Sequence, residues 1–483
     1  MDASEYDLIV IGAGPVGENV ADRAVQGGLT AVIVESELVG GECSYWACMP
    51  SKTLLRPVAA LRAARAVPGA ATAVTGGVDV AATLRSRDAI VHEWNDAGQV
   101  GWLEGAGIDL VRGHGRLDGE RRVRVEASDG TERVLTARHA VAVCTGSAAL
   151  LPDIPGLADA EPWTSREATA VADVPARLAI LGGGVVACEL ATAFASFGTR
   201  VTVIARSGLL GPFEPFAGEA VAAALRDAGV DVLLRTEVAA VRREGDERVL
   251  VLRGEGQGEG EGDEAREVRA DQLLVATGRV PRTADVGLET VPLAPGEWIA
   301  VDDTMRVPGL DWLYAVGDVN HRALLTHQGK YQARAAGDVI AARATGGDVD
   351  DRPWGTHVAT ADHAAVPQVV FTEPQVASVG LTERQAADAG VRARTLDVDL
   401  GALAGSATHA KGYAGTARAI VDEDRGVIVG ATIVGPDVAE LLQAVTIAVV
   451  GEVPLARLWH AVPAYPTISE LWLRWLEAYG RPR

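Results

Sequence analysis

The sequence predicts an α/β fold with two domains built on strand–helix–strand units, the second inserted in the first, and a C-terminal α+β domain. Residues 6–36 read as a buried strand, a Gly-rich turn, a helix and a second strand, and residues 176–206 repeat that order. A third block begins at about Arg352 and mixes strands, such as residues 425–435, with helices. These three blocks are the basis of the prediction.

The segments between the blocks indicate how the domains connect. Residues 139–147 read as a strand that ends in a turn, and residues 270–282 close the second block in the same way. After Leu313–Asn320 a helical stretch is expected to continue to about Ala344. The Asp-, Gly- and Pro-containing residues 346–354 then have the composition of a linker. The second unit therefore interrupts the first.

Composition and charge narrow the possible functions. A chain of 483 residues is long enough for roughly three domains. Its 44 Lys and Arg against 65 Asp and Glu give a net charge of -21, which argues against a nucleic-acid or membrane-surface binder. The first residues carry acids where a signal peptide needs positive charge, and no apolar run is long enough to span a membrane. We expect a cytoplasmic protein, in which residues 254–267 form a solvated acidic hairpin loop.

The first Gly-rich turn, "GAGPVG", has the features of a dinucleotide site. Gly12 is expected to make the tight turn, Gly14 to let the backbone approach a pyrophosphate, and Gly17 to allow close helix packing. Glu35 ends the next strand, where an acid holds a ribose 2'-hydroxyl. Strand, turn, helix, strand and acid together favour a dinucleotide over an incidental turn.

The second turn, "GGGVVA", contains Gly182, Gly184 and Ala187, and its following strand ends in Ala205 and Arg206. A site for NAD would carry an acid at that strand end. Arg206 could instead bind a 2'-phosphate through charge-assisted hydrogen bonds, so NADPH is predicted over NADH. The alternative is a surface arginine that never touches the cofactor, because no second basic residue stands near it in the sequence.

The four cysteines divide into a close pair and two isolated residues. Cys43 and Cys48 lie in "GGECSYWACMPSK", whereas Cys144 ends a strand and Cys188 lies in the second fingerprint helix, where both are expected to be core residues. A zinc site would need about four ligands, so no metal is predicted. Five residues of regular helix rise about 7.5 Å, which exceeds the reach of a disulfide, so the segment between the pair should be distorted. In the cytoplasm such a pair suits dithiol exchange.

The motifs as a whole resemble those of the FAD-dependent pyridine nucleotide-disulfide oxidoreductases, the group of dihydrolipoamide dehydrogenase, glutathione reductase and mercuric reductase. The likeness runs nearly end to end, in the family's order, through "GAGPVG", "GGECSYWACMPSK", "CTGS", "GGGVVACE", "ATGRVP", "YAVGD", "LTH" and "VFTEPQVASVGLTE". It implies two Rossmann-like dinucleotide-binding domains: an FAD-binding domain at residues 1–152 and 273–348, and an NAD(P)H-binding domain at residues 153–272. It also implies homodimerisation through residues 353–483.

The resemblance also implies roles for individual residues. NADPH would reduce FAD, FAD would reduce the disulfide at Cys48, and Cys43 would attack the substrate. Lys52 would lie near flavin N5 and pair with Glu189. Further contacts to the cofactors are implied at Gly41, Gly115, Thr145, Gly146, Ser147, Gly278, Asp318, which would bind the ribityl chain, and Thr326 and His327, which would lie beside the flavin. Each has a purely structural alternative, strongest for His327.

One position near the C-terminus departs from the family. Most members carry a His-Pro-Thr-x-x-Glu segment whose His is acid and base for the partner's thiols, but here "AYPTISE" has Tyr465, while Glu470 remains. A phenol with an ordinary pKa of about 10 is a poor base at neutral pH. Mercuric reductases also resemble the chain in having Tyr there, but they use a Cys pair near the C-terminus, and no Cys follows Cys188. His460 could compensate, although a helix-end role is the simpler interpretation.

The electron acceptor stays open at this stage. Tyr45 and Trp46 stand between the cysteines, where the family commonly has a small Gly before the second Cys. They could narrow access, stack on a flat acceptor, or belong to the core. The predicted function is therefore an NAD(P)H- and FAD-dependent disulfide oxidoreductase with a small-molecule or small-thiol acceptor. A quinone or metal-ion reductase and a redox-responsive dinucleotide-binding protein are the alternatives.

Overall fold

The structure is a computed structural model that describes residues 4–254 and 266–481. Most of the acidic segment at residues 254–267, predicted to be a hairpin loop, lies outside these ranges. The strands in chain order are β1 Glu5–Ile11, β2 Ala31–Glu35, β3 Asp109–Arg112, β4 His114–Leu117, β5 Arg122–Glu126, β6 Glu132–Val143, β7 Ser147–Ala149, β8 Arg177–Leu181, β9 Arg200–Ala205, β10 Asp231–Leu234, β11 Thr236–Glu244, β12 Glu247–Gly254, β13 Glu267–Ala270, β14 Gln272–Val275, β15 Arg279–Pro281, β16 Leu313–Ala315, β17 Gln368–Val370, β18 Gln375–Gly380, β19 Ala393–Asp399, β20 Thr416–Asp422 and β21 Val427–Gly435.

The α-helices of the described ranges vary from a single turn to twenty residues. In chain order they are α1 Pro15–Gln26, α2 Gly41–Tyr45, α3 Cys48–Ala66, α4 Pro68–Ala71, α5 Val80–Ile90, α6 Ala97–Ala106, α7 Ser165–Thr169, α8 Val185–Ser196, α9 Pro215–Asp227, α10 Thr326–Thr345, α11 Ala361–Ala364, α12 Glu383–Asp388, α13 Ala404–His409, α14 Leu442–Val450, α15 Leu455–Leu458 and α16 Leu471–Tyr479. In the described ranges, none is both long enough and apolar enough to cross a membrane.

The chain forms two compact units. The first comprises Met1–Pro50, Asp88–Ala149 and Arg279–His363, and the second comprises Ser51–Arg87, Leu150–Gly278 and Ala364–Arg483. The strand–turn–helix–strand order predicted at the start of the chain falls in the first unit, and its repeat falls in the second. Both predictions of local structure are confirmed, whereas the exact domain boundaries stay predictions.

The first unit is built on a seven-stranded sheet in the order β3-β2-β1-β6-β5-β4, with β16 also paired to β6. The pairs joining β3, β2, β1, β6 and β16 are parallel, and β4 and β5 add antiparallel strands. Leu8 and Val10 enter the core on one face, while Ile9 and Ile11 enter the core on the other. A parallel strand covered on both faces requires such an uninterrupted apolar run, which is why it was visible in the sequence.

In its described residues the second unit contains three sheets. They are a parallel sheet in the order β10-β9-β8-β14, an antiparallel sheet β11-β12-β13, and an antiparallel sheet β17-β18-β21-β20-β19. One core joins the parallel sheet to the five-stranded sheet, since Ile180 and Val203 share it with Val376 and Val434. The mixture of strands and helices predicted after Arg352 is confirmed.

Candidate active site

A cavity of about 470 Å³ lies in the first unit, where β1, β2 and β6 end. Ligands of parallel α/β sheets bind at this edge, beyond the carboxyl ends of the strands. Many of the residues predicted to form the site line this cavity: Gly12, Gly14, Glu35, Gly41, Cys43, Gly115, Thr145, Gly146, Ser147, Asp318 and Thr326.

Each glycine of the first turn is required for a different structural reason. Gly12 has φ +104°, and a Cβ there would lie 2.6 Å from the carbonyl oxygen of Cys144. A Cβ on Gly17 would lie 1.9 Å from the carbonyl oxygen of Gly12, so the helix could not approach the turn. Gly14 precedes α1, and a Cβ there would meet nothing within 4 Å. The turn therefore leaves open space at the positive end of α1, which fits the diphosphate of a dinucleotide.

Glu35 is held in the cavity wall by the backbone. Its carboxylate accepts hydrogen bonds from the N–H of Ala13 at 2.7 Å and from the N–H of Glu37 at 2.7 Å. Each carboxylate oxygen has a second lone pair. The same oxygens can therefore accept further hydrogen bonds from ribose hydroxyl groups.

Asp318 lies in a polar group that sequence reasoning identified only in part. Ser147 Oγ donates to Asp318 Oδ2 at 2.5 Å, and Arg279 donates to Ser147 Oγ at 2.6 Å and to the Ser147 carbonyl at 2.7 Å. Arg279 and Arg282 both line the cavity, yet neither was predicted as a site residue. The motif "ATGRVPR" was the available signal, but only β15 pairing with β7 brings these side chains to Ser147.

The two close cysteines belong to two different helices. Cys43 lies in α2, Trp46 ends that helix with φ -136°, and Cys48 begins α3. The predicted distortion between the cysteines is confirmed. Both thiols are half-buried, and Cys48 Sγ lies 3.3 Å from Thr326 Oγ1, at the start of α10. Cys43 lines the cavity directly.

The other two cysteines are buried, as predicted. Cys144 packs in the core of the first unit and Cys188 in that of the second. Burial raises the pKa of the Cys188 thiol to about 12, with the Glu189 carboxylate adding to the shift, and burial likewise raises the pKa of Cys144. Both thiols therefore stay protonated at neutral pH and are poor nucleophiles.

Tyr45 belongs to the core, which settles one of the alternatives for the aromatic residues. It is fully buried, and its hydroxyl donates to the carbonyl oxygen of Val39 at 3.1 Å. Trp46 is half-buried with its ring centroid 5.6 Å from that of Tyr45.

The second Gly-rich turn lies in the second unit at the carboxyl edge of its parallel sheet. Gly182 has φ +134°, and a Cβ there would lie 2.2 Å from the carbonyl oxygen of Ala276. Gly184 precedes α8 with nothing within 4 Å of a Cβ, and Ala187 is buried in that helix. This turn therefore has the same open helix start as the first.

Arg206 is exposed directly after β9. Ala205 pairs with Leu234 in the parallel register of β9 and β10, so Arg235 follows the neighbouring strand end. A second basic residue thus follows the end of the neighbouring strand, although none stands near Arg206 in the sequence. The long separation along the chain concealed this neighbour.

Lys52 and Glu189 form an ion pair in the second unit, with Lys52 Nζ 2.7 Å from Glu189 Oε2. The Glu189 side chain is only 4 % exposed, and its other oxygen accepts the backbone N–H of Phe371 at 2.9 Å. Lys52 Nζ also lies 5.1 Å from the centroid of the Phe371 ring. The pairing implied by the resemblance is present.

The remaining predicted residues are spread over the two units. His327 is exposed in the first turn of α10, and Gly278 precedes β15 with φ +149°. Tyr465 is 77 % exposed, whereas Glu470 is buried, with Arg474 3.6 Å from its Oε1. His460 is exposed just beyond α15.

Comparison with family models identifies a match along most of the chain. The model of the pyridine nucleotide-disulphide oxidoreductases matches residues 6–341. The model of the pyridine nucleotide-disulphide oxidoreductase dimerisation domain matches residues 366–475.

Individual proteins give the same picture. A mercuric reductase of Shigella flexneri is 35 % identical over 475 residues, which cover 96 % of this chain and 79 % of that protein. A dihydrolipoyl dehydrogenase of Haloferax volcanii is 31 % identical over 479 residues, covering 97 % of this chain and 95 % of that protein. The solved structure of the flavoprotein disulfide reductase RclA from Escherichia coli superposes with a TM-score of 0.79 at 24 % identity, covering 98 % of this chain and 99 % of that one.

Proposed function

Since the chain belongs to the pyridine nucleotide-disulphide oxidoreductase family, whose members are FAD-dependent NAD(P)H oxidoreductases, we propose that it passes electrons from NADPH through FAD to Cys48 and Cys43. The observation that carries this proposal is the placement of Cys43 in the wall of the cavity that also contains Gly12, Gly14 and Glu35. The Cys43 thiol and the Gly-rich turn proposed to bind the dinucleotide thus line one cavity. The family-level activity is established by the match, and the residue roles and coenzyme preference are the proposal.

The residues of the cavity support FAD as its ligand. The start of α1 would receive the diphosphate, Glu35 would accept a hydrogen bond from a ribose hydroxyl, and Asp318 would accept one from the ribityl chain. When bound, FAD supplies the exchange between a two-electron hydride donor and a disulfide. Thr326 Oγ1, beside Cys48, would orient that thiol.

The two thiols would act in two successive thiol–disulfide exchange steps. The Cys43 thiolate attacks one sulfur of a substrate disulfide, forms a mixed disulfide and releases the first thiolate. The Cys48 thiolate then attacks the Cys43 sulfur, releases the second thiolate and forms the Cys43–Cys48 disulfide. Two protons are taken up by the released thiolates, and NADPH restores the dithiol with two electrons.

NADPH is proposed over NADH because of the strand ends in the second unit. Arg206 follows β9, where an acid would select against a 2'-phosphate, and the register of β10 adds Arg235 beside it. Two guanidinium groups would favour the extra phosphate through charge-assisted hydrogen bonds.

The proposal includes a homodimer that forms through the dimerisation domain at residues 366–475. Several large apolar side chains of that domain are exposed, among them Ile447 at 60 % and Val462 at 85 %. Exposed apolar side chains of this size are typical of surfaces that pair with another chain. Tyr465 of the partner subunit would then take the family's His position, with Glu470 behind it. A cytoplasmic location also belongs to this proposal.

The acceptor class follows from Tyr465. Without an imidazole, acceptors that need no protonated leaving group are favoured: quinones, disulfides with acidic thiols, or metal ions. Reduction of Hg(II) is a second candidate because a relative at 35 % identity is a mercuric reductase.

A panel of acceptors tests the proposal. Steady-state NADPH oxidation would be measured with glutathione disulfide, an aromatic disulfide, a quinone and Hg(II), for the unaltered protein and Cys43→Ser. We expect turnover of the aromatic disulfide that Cys43→Ser abolishes. Quinone turnover that survives Cys43→Ser would indicate transfer from the flavin itself. Tightly bound FAD without turnover of any acceptor would contradict the enzyme and favour a redox-responsive binding protein.

A further inference from the structure

Arg282 and Glu42 form an ion pair in the wall of the cavity that contains Cys43. Arg282 Nη2 lies 2.8 Å from Glu42 Oε1, and the two side chains are partly exposed, at 37 % and 27 %. Glu42 immediately precedes Cys43 in α2, and all three residues line the same cavity. The pair is therefore close to the thiol proposed to attack the substrate.

The position of Arg282 does not depend on Glu42. Its backbone N–H donates to the Gly146 carbonyl at 3.0 Å, and its own carbonyl accepts from Thr145 Oγ1 at 2.7 Å. Its Nε also donates to the Ser147 carbonyl at 3.2 Å. These contacts fix the guanidinium from the strand side, so that it approaches α2 from a rigid base.

Acidic residues outnumber basic ones among the residues that line the cavity. Its acids are Glu35, Glu37, Glu42, Asp285 and Asp318. Its other titratable or charged groups, besides Cys43, are His114, Cys144, Arg279 and Arg282.

Other groups compensate most of these acids. Arg279 lies 3.8 Å from Asp318, Arg116 lies 2.7 Å from Asp285, and Glu35 accepts two backbone N–H groups. Arg282 forms an ion pair with Glu42, the acid next to the thiol in sequence. Removing Arg282 would therefore remove the positive charge of this pair and make the surroundings of Cys43 more negative.

We propose that Arg282 is a positioning residue that neutralises Glu42 and so keeps Cys43 available as a thiolate. A carboxylate without its cation opposes a second negative charge in a partly desolvated cavity, whereas the ion pair does not. The consequence for turnover rests on the proposed role of Cys43. The expected effect on the ionisation of Cys43 does not rest on that role, because its measurement needs neither NADPH nor an acceptor.

The test is the pH dependence of Cys43 alkylation in the full-length FAD-loaded protein. The Cys48→Ser background leaves Cys43 as the reactive thiol, because Cys144 and Cys188 are buried and protonated. Iodoacetamide labelling would be followed at low salt from pH 5 to 10. Arg282→Gln should raise the midpoint by about half to one pH unit, or roughly 3- to 10-fold less thiolate below the midpoint. Arg282→Lys should stay near the parent.

A double variant that removes both charges distinguishes an electrostatic role of Arg282 from a merely structural one. Glu42→Gln should lower the midpoint, and Arg282→Gln/Glu42→Gln should return it toward the parent value. The shifts should shrink in 1 M KCl because the pair is partly exposed. Arg23→Gln is the matched control, since it breaks a pair of the same unit with Asp338 at 2.7 Å, away from the cavity. It should leave the midpoint unchanged.

The outcomes that overturn the inference are specific. An unchanged midpoint in Arg282→Gln, or the same rise in the double variant as in the single one, would show that Glu42 is not what Arg282 neutralises. If Arg282→Gln fails to hold FAD, an unchanged midpoint in Glu42→Gln decides against the proposal. Loss of NADPH-linked turnover with these titrations intact would overturn the proposed function alone.

Discussion

Burial separates the four cysteines of this chain into two chemical kinds. Cys144 and Cys188 are core residues whose thiols are held protonated, while Cys43 and Cys48 are half-buried at a helix break beside a dinucleotide cradle. The sequence predicted this division from spacing and from the neighbouring motifs. It could not predict the contact of Cys48 with Thr326, because α10 is far along the chain.

The role of Cys48 gives the first prediction. Two-electron reduction of the FAD-loaded protein should produce a long-wavelength charge-transfer band between a thiolate and the flavin. Cys48→Ser should abolish the band, because Cys48 is the proposed flavin-side thiol, whereas Cys43→Ser should keep it. Absorbance during anaerobic titration with NADPH measures both. If the band survives Cys48→Ser, Cys43 rather than Cys48 is the flavin-side thiol.

Glu18 is a half-buried acid with a buried carboxylate oxygen, and sequence reasoning missed it. It lies in the first turn of α1, and within the described ranges its Oε1 is buried with no hydrogen-bond partner. Burial raises the pKa of Glu18 to about 7, with Lys330 opposing the shift and Glu35 adding to it. A polar residue in a helix gives no sequence signal for such an environment, since the environment comes from neighbours on other elements.

The second prediction concerns stability at high pH. In the unfolded chain Glu18 ionises near its ordinary pKa of about 4.3, but in the folded protein it holds its proton until about pH 7. Stability is therefore lost as the pH rises through this window, by roughly 3–4 kcal/mol. Glu18→Gln should raise the melting temperature at pH 8 much more than at pH 4.5. The exposed Glu104→Gln should show no such difference, and an equal effect of Glu18→Gln at both values would contradict the assignment.

At the scale of elements, the two strand–turn–helix–strand units were predictable because hydrophobic runs and glycine spacing are local signals. The pairing of elements that are distant in the sequence could not be predicted from such local signals. Arg282 is brought to Glu42 by the pairing of β15 with β7, and the register of β9 and β10 places Arg235 after the strand next to that of Arg206. Neither arrangement could be predicted from the sequence around these arginines.

The glycine turn of the first unit supports a third prediction. Gly14→Ala adds a methyl group that meets no protein atom within 4 Å, so the protein should fold but hold FAD more weakly. Gly12→Ala forces a Cβ to 2.6 Å from a backbone oxygen at φ +104°, so the turn itself should distort. The measurements are FAD retention and the melting temperature of the cofactor-free protein. Equal loss of apoprotein stability in both variants would contradict the distinction.

The strand ends of the second unit support a fourth prediction. Arg206→Ala should reduce the preference for NADPH over NADH in kcat/KM by roughly 10- to 150-fold, which corresponds to the 1.5 to 3 kcal/mol of a charged hydrogen bond. Adding Arg235→Ala to this variant should reduce the preference further. Arg200→Ala, at the opposite end of β9, should leave the preference unchanged. Stopped-flow reduction of the flavin by each coenzyme measures the ratio. Equal efficiency of NADH in the unaltered protein would contradict the proposed 2'-phosphate site.

At the scale of the whole molecule, the motifs predicted the family because they occur in order from residue 12 to residue 470, and the family models confirm it over residues 6–341 and 366–475. The electron acceptor, in contrast, could not be predicted from these motifs. In the proposed homodimer it would depend on where Tyr465, 77 % exposed in one chain, is placed at the interface. A motif in one chain carries family identity, whereas acceptor chemistry in that homodimer would depend on surfaces of both subunits.

Tyr465 gives the last prediction, because it replaces the imidazole expected to protonate a departing thiolate. General acid–base help is worth about 10² to 10⁴ in rate, so glutathione disulfide should be a slow substrate, while a disulfide with acidic leaving thiols should be much faster. Tyr465→His should raise turnover of glutathione disulfide and leave flavin reduction by NADPH nearly unchanged, since only the thiol steps need the proton. Tyr465→Phe controls for loss of the hydroxyl group. If the unaltered protein already reduces glutathione disulfide as fast as the aromatic disulfide, another group supplies the proton, and His460→Gln would test the exposed residue five positions earlier.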